Sequence, residues 1–383
     1  MPNLKNNLGI DASNIRHGGG ITHLSQLLKH TGNFLTHDKI ILWASEKTLK
    51  QISDKPWLIK RSHRLLNGNL FHRTFWQLFF LKKSLVSDSC SVLFAPGGIN
   101  YSGFRPVITF HQNLLPFVTL EILRFRSLKK ISRFYILRLL QSFSFKRSNG
   151  IIFLSNFSKK ILEKKIPSLP ENKVIYHGIE SRFFQSPKTQ KHVDSYNFEN
   201  PYKILYVSSI DFYKHQWNVV EAVHILRNEG FPVTLDLYGF PNKSPMRKLL
   251  KTINNLDKEN NFIFYNKEID FNFMHELYKK FDMSVFASSC ETFGQIVLES
   301  MASGLPIACS NKSSMREIIQ DSCVYFNPLS PEDISDAIRS LLLSNEKRKV
   351  LAERAFIRSK KFNWTDTSLE TFNFIKKIES ELN

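Results

Sequence analysis

The chain has 383 residues, 42% of them hydrophobic, and carries 53 Lys and Arg against 34 Asp and Glu, a formal charge of +19. That length exceeds what one hydrophobic core serves, so two globular domains are expected. No apolar run is long enough to cross a bilayer, no signal-peptide core is read at the start, and the cysteines at 90, 290, 309 and 323 have neither zinc-ligand spacing nor the density of a disulfide scaffold, which predicts reduced, mostly buried thiols in a cytoplasmic protein.

Leu8-Gly9-Ile10-Asp11 reads as a first strand, followed by the glycine loop His17-Gly18-Gly19-Gly20 and a helix from about Ile21 to His30. Such a loop lets backbone approach an anion at a helix start, and it equally suits a flexible turn. It also resembles the oxyanion loop of lipases, but no Gly-x-Ser-x-Gly elbow accompanies it. Further buried strands are expected at Ile40–Trp43, Ser91–Ala95, Val107–His111, Gly150–Ser155 and Val174–Tyr176, alternating with helical stretches as in a parallel sheet.

This half carries the whole charge imbalance. Residues 1–195 hold 30 Lys and Arg against 10 Asp and Glu, leaving 23 against 24 for the rest. No acid occurs between Glu121 and Glu163, where Arg124, Arg126, Lys129, Lys130 and Arg133 interleave with Phe, Tyr, Leu and Ile. A second acid-free stretch, from Lys55 to Lys83, is rich in Arg, His, Phe and Trp. Basic residues among aromatics suit an anionic membrane surface better than nucleic acid, since no nucleic-acid module is present; a solvated basic face is the alternative.

A polar, aperiodic stretch from Ser186 to Pro201 reads as the linker, which divides the chain into 1–190, 200–364 and a final helix, 365–383. Strands then resume at Ile204–Ser208, Val233–Gly239, Phe262–Phe264, Met283–Ala287, Ile307–Cys309 and Val324–Phe326. Between the fourth and fifth of these lies Cys290-Glu291-Thr292-Phe293-Gly294-Gln295-Ile296-Val297-Leu298-Glu299-Ser300-Met301-Ala302-Ser303-Gly304-Leu305-Pro306. Gly294 starts a helix there and Ser303-Gly304-Leu305-Pro306 stops it. The helix start can hold a diphosphate on backbone N–H groups, with Glu291 in the loop facing the anion's other substituent and the Glu299 carboxylate free for hydroxyls.

This segment resembles the E-x7-E signature of family 4 of the retaining glycosyltransferases. Glu291, Phe293, Gly294, Glu299, Ala302, Gly304 and Pro306 match it, while Thr292 and Ser300 depart by small residues. The resemblance implies an α/β GT-B fold, two doubly wound Rossmann-like domains with an interdomain cleft. The first domain would take the acceptor and the second the nucleotide-sugar, and the final helix would pack back on the first. It implies that Glu291 contacts the transferred sugar, Glu299 the ribose, and the Phe293–Ile296 turn, with Gln295, the diphosphate; plain core packing is as open to Phe293. His111 matches a histidine near the reacting sugar, although Gln112 stands where Asp is usual. Lys214, in Ser208-Ser209-Ile210-Asp211-Phe212-Tyr213-Lys214, matches the lysine that neutralises the diphosphate, with Ser209 beside it where Arg is usual. Gly19 and Gly20 join the donor-binding set.

No Asp-x-Asp, Gly-x-Gly-x-x-Gly or P-loop occurs, so neither a metal nor a cofactor beyond the nucleotide-sugar substrate is expected. The sequence therefore predicts a metal-independent retaining glycosyltransferase at the inner face of the cytoplasmic membrane, acting on a lipid-linked glycan in surface polysaccharide biosynthesis. A sugar-nucleotide epimerase, a glycogen-synthase-like enzyme with a soluble acceptor, and a basic nucleic-acid-binding protein are its rivals.

Overall fold

The computed structural model describes residues 6–16, 18–267 and 269–382. Two compact units form. One comprises the chain up to Phe117, Leu128–Gly178 and the stretch from Asn363; the other comprises Val118–Ser127 and Ile179–Phe362.

The first unit is built on seven parallel strands: β1 (Asn7–Asp11), β2 (Ile40–Trp43), β3 (Leu58–Arg61), β4 (Cys90–Ala95), β5 (Val107–His111), β6 (Gly150–Phe153) and β7 (Glu171–Val174), in the order β3-β2-β1-β4-β5-β6-β7. The inner strands are continuous apolar runs because helices cover both faces of a parallel sheet. Ile41, Trp43 and Leu93 meet Leu66, Trp76, Leu81 and Leu85 in one apolar cluster. The helix Trp364–Ser380, capped by the Asn363 side chain, lies on the helix Gly19–Lys29 and on β4 and β6.

Two edge strands differ from the sequence expectation. β3 has no forecast, and β7 lies at Glu171–Val174 rather than Val174–Tyr176. Their sequences, Leu-Ile-Lys-Arg and Glu-Asn-Lys-Val, are only partly buried and lack the long apolar run that marks an inner strand.

The second unit has six parallel strands: β8 (Tyr202–Val207), β9 (Val233–Tyr238), β10 (Ile263–Asn266), β11 (Met283–Phe286), β12 (Ile307–Ser310) and β13 (Val324–Phe326), ordered β10-β9-β8-β11-β12-β13. The chain enters this unit at Ile179, ahead of the stretch expected to be a linker. That stretch is polar because it is tied down by hydrogen bonds. Lys188 donates to the carbonyls of Lys279 and Phe281, and the buried Arg348 guanidinium engages Gln190 and the Lys191 carbonyl. No helix among the described residues is long and apolar enough to cross a membrane.

Candidate active site

In both sheets the strand order reverses direction once, between β1 and β4 and between β8 and β11. Ligands of open α/β sheets bind at the carboxyl ends of strands at such a switch point. In the second unit, the loops leaving β8, β11 and β12 carry Ser208–His215, Ala287–Gly294 and Asn311–Ser314 to this end. The β8 loop also abuts the end of β9, where a Cβ on Gly239 would fall 1.8 Å from the Ser208 carbonyl oxygen.

Lys214 and Glu291, 77 residues apart, form an ion pair here. Both side chains are largely shielded from solvent. The Glu291 carboxylate also accepts from Ser288 Oγ at 2.6 Å, and its backbone is clamped by Ser313, whose Oγ accepts from the Glu291 N–H and donates to its carbonyl, each at 2.6 Å. The Lys214 carbonyl accepts from the Tyr206 hydroxyl at 2.5 Å, fixing the lysine's backbone from beneath. His215 follows in the left-handed conformation, φ 51°, and its Nε2 lies 2.8 Å from Ser289 Oγ, a bond that ties the β8 loop to the β11 loop. Burial, with Arg124 and Lys248 nearby, pulls the His215 imidazole down to about 3, so it is a neutral strut at physiological pH.

Gly294 caps the helix Gln295–Ala302 with φ 96°, where an L side chain is strained and a Cβ would lie 2.4 Å from Met315 Cε. Its carbonyl accepts from Val297 and Leu298, and helix geometry aims the amides of Gln295 and Ile296 out of the N-terminus, where they favour an anion. Ser209, whose carbonyl accepts from Gln216 at 2.9 Å, is half-buried on the neighbouring loop. Ser209, Lys214 and Glu291 on loops, and Gln295 and Ile296 at a helix start, thus lie at one end of this sheet.

Two expected residues are differently placed. The sequence predicts a free carboxylate at Glu299, but this residue is only 2% exposed and accepts from the Tyr278 hydroxyl at 3.0 Å. Burial raises it to about 8 against the opposing pull of Tyr278 and Arg182, so it is protonated at neutral pH. As the fifth residue of its helix it points into the core, and no pattern in the chain marks Tyr278 as its cover. Phe293 is buried and packs edge-on against Phe362, 5.8 Å between centroids, which is the core-packing alternative.

His17 lies outside the described residues. Gly18 has φ 62°, and Gly19 and Gly20 open the helix Gly19–Lys29, with Gly19 exposed. The loop before them is held by a network that sequence reasoning missed. The Gln77 side chain donates to Asp11 at 2.5 Å and to Ser13, Ser13 N–H donates to Asp11 at 3.0 Å, and Arg73 donates to the Ser13 carbonyl and Asn14. Burial raises the Asp11 carboxyl, while Ser13, Gln77 and Arg73 hold it down.

His111, expected beside the reacting sugar, is completely buried among Phe117, Phe145 and Phe153 at ring distances of 5.6 to 5.8 Å. Burial outweighs a favourable contact from the Asn113 backbone and pulls the imidazole down to about 3. With Gln112 in place of the usual carboxylate the imidazole is neutral, and in this structure it packs as a core residue. The basic stretch divides between the two units. Arg124 is paired with Glu121 at 2.8 Å and belongs with Arg126 to the second unit. Lys129, Lys130 and Arg133 are exposed on the helix Leu128–Arg147, whose first thirteen residues include none that is buried. Leu128 and Leu139 on it are 86% and 69% exposed.

No group of three or more His, Cys, Asp or Glu comes together as a metal site among the described residues. Residues 188–358 match the family described as glycosyl transferases group 1. A relative, the O-antigen chain mannosyltransferase B of Escherichia coli, is 31% identical over 94 residues, 24% of this chain and 25% of that one. The chain thus spans about a quarter of that relative's length. In fold, the chain is similar to sucrose-phosphate synthase from Thermosynechococcus elongatus, with a TM-score of 0.77 at 14% identity over 98% of this chain and 100% of that one. It is also similar to HepE of Anabaena, solved with UDP and glucose, with a TM-score of 0.71 at 16% identity over 97% of this chain and 100% of that one. Both units therefore have the Rossmann-like fold of GT-B proteins.

Proposed function

Because residues 188–358 match the glycosyl transferases group 1, we propose that the protein is a retaining glycosyltransferase. It moves a sugar from a nucleotide-sugar to an acceptor hydroxyl, and the acceptor is a lipid-linked glycan of surface polysaccharide synthesis. The observation that carries this reading is the Lys214–Glu291 pair at the switch point, beside a glycine-capped helix N-terminus.

In this mechanism the pair keeps both charges compensated while no donor is bound. The diphosphate takes over Lys214 and the amides of Gln295 and Ile296, which frees the Glu291 carboxylate for hydroxyls of the sugar. As the anomeric carbon–oxygen bond breaks, charge gathers on the departing diphosphate, and Lys214 with the helix N-terminus stabilises it. The acceptor oxygen attacks on the same face and passes its proton to the departing diphosphate oxygen as the new bond forms. Gly19 and Gly20, at a second helix start, are assigned to the donor as well.

The enzyme needs no cofactor or metal in this scheme; the nucleotide-sugar is substrate. The exposed helix Leu128–Arg147 supports attachment at an anionic membrane surface, the inner face of the cytoplasmic membrane. A lipid-linked acceptor is consistent with the O-antigen chain named for the mannosyltransferase relative.

A thermal-shift panel of UDP-, GDP-, ADP- and TDP-sugars tests the reading, because a ligand of the folded state raises its apparent stability. One class should raise Tm, and Gly294→Ala should reduce that rise. A protein indifferent to all four, yet binding duplex with a steep salt dependence, would be a nucleic-acid-binding protein instead.

A further inference from the structure

A second surface of the first unit combines exposed aromatic rings with a basic recess. β3 runs into the turn Arg64–Asn67, the helix Leu70–Trp76, a π-helical turn Gln77–Leu81 and the helix Lys82–Ser87. The π turn adds a residue between Trp76 and Leu81, so both stay buried five positions apart while Leu78, Phe79 and Phe80 all face out. Leu70, Phe71 and Phe75, from the preceding helix, are exposed as well, Phe71 by 85%.

The rings form a row. Phe75 lies 4.6 Å from Phe79 and 6.1 Å from Phe80, and Phe80 lies 5.3 Å from His63. His63 is the lip of an open recess of about 650 Å³, lined also by Arg64, Leu65, Asn67, Gly68 and His72. The recess stands at the carboxyl end of β3. The β1 loop is stitched to it by Arg16, which donates to the carbonyls of Leu66 and Gly68 at 3.3 and 2.8 Å. No acid occurs from Lys55 to Lys83, and the nearby Glu46 carboxylate is engaged by the Asn67 amide at 2.9 Å.

We propose that this recess binds the phosphate of a membrane lipid while the row of phenylalanines enters the acyl boundary beside it. The proposal rests on the lipid-linked acceptor reading and names the chemistry that reading leaves open. Large exposed apolar patches mark partners, and a bilayer with anionic headgroups supplies the two complements this surface needs, apolar depth and negative charge. A second copy of the chain does not. A two-fold contact would set one basic surface, with Arg64, Lys82 and Lys83, against another of the same sign.

The test is co-sedimentation of the full chain with phosphatidylcholine vesicles, with and without phosphatidic acid, at low and at raised salt. Phe71→Ser/Phe75→Ser/Phe79→Ser should lower partitioning onto both vesicles by about tenfold or more. Arg64→Ser/His72→Ser should remove only the preference for phosphatidic acid. These side chains are exposed, so circular dichroism should report an unchanged fold. If both variants partition like the native protein while Lys129→Glu/Lys130→Glu/Arg133→Glu releases it, the proposal falls and the membrane reading stands. If the native protein ignores vesicles even at low salt, the membrane reading falls too. Release by millimolar inorganic phosphate would make the recess a free-anion site. A native dimer that the phenylalanine variant dissociates in sedimentation velocity would make the ring row a protein interface, and either result overturns the proposal.

Discussion

Lys214 and Glu291 show how two opposite charges are kept largely shielded from solvent. Each is the other's counterion, and Ser288, Ser313 and Tyr206 satisfy the remaining polar atoms around them. Truncating the lysine removes the cation for the departing diphosphate, so Lys214→Ala should lower kcat by about 10²-fold and raise the donor KM much less, as steady-state kinetics will show. Wild-type turnover would assign the cation elsewhere. Glu299 gives a second prediction. Its folded pKa of about 8 lies above the carboxyl value of 4.5. The folded state therefore holds the proton more tightly, and Glu299's contribution to stability is full below about pH 4.5 and lost as pH rises through about 8. Glu299→Gln keeps a neutral group in place, so its stability relative to wild type should rise by a few kcal/mol between those limits in denaturant titrations, at about 1.4 kcal/mol for each pH unit that separates the two pKa values. Parallel curves for the two proteins would mean that Glu299 is already ionised in the fold.

At the scale of elements, the helix Gln295–Ala302 depends on the left-handed Gly294. Gly294→Ala adds a Cβ 2.4 Å from Met315 Cε at φ 96°, and the backbone strain alone should cost about 1–2 kcal/mol, read as a lower Tm and weaker donor binding. An unchanged Tm would show that the turn relaxes. The helix Leu128–Arg147 makes the opposite case, since its buried residues all lie in its last turns. Converting Lys129, Lys130 and Arg133 to Glu should leave Tm unchanged and reduce co-sedimentation with anionic vesicles, at about 1 kcal/mol for each cation near the surface. Native-like binding would remove this helix from the membrane face. The legibility of elements follows burial. β2, β4, β5 and β8 are apolar runs and are readable as strands, whereas β3 and β7 are only partly buried and are missed or misplaced. Side-chain burial is less readable than backbone. Glu299 and His111 sit in the expected local elements, yet Tyr278 and three phenylalanines, brought in by the fold, close over them. The serine clamp on Glu291 has a topological signal, since Ser313 and Ser314 follow β12, the neighbour of β11.

At the scale of the whole chain, charge and chemistry segregate. The basic surplus lies in residues 1–195, which make most of the first unit, while the lysine–glutamate pair and the glycine-capped helix belong to the near-neutral remainder. The proposed function assigns the first part to a membrane and its acceptor, and the second to the nucleotide-sugar. Two α/β halves are legible because strands alternate with helical stretches throughout. The crossing at Gly178–Ile179 is not, since no break in composition marks it. The measurement that tests the central claim most directly is incubation of the full chain with the nucleotide-sugar selected by thermal shift and a lipid-linked acceptor fraction in vesicles. Nucleoside diphosphate release is followed, and the product's anomeric configuration is read by NMR. The account predicts diphosphate release only with acceptor present and a glycosidic bond of the donor's own anomeric configuration. An inverted bond, or conversion of the nucleotide-sugar to its epimer without transfer, would contradict it.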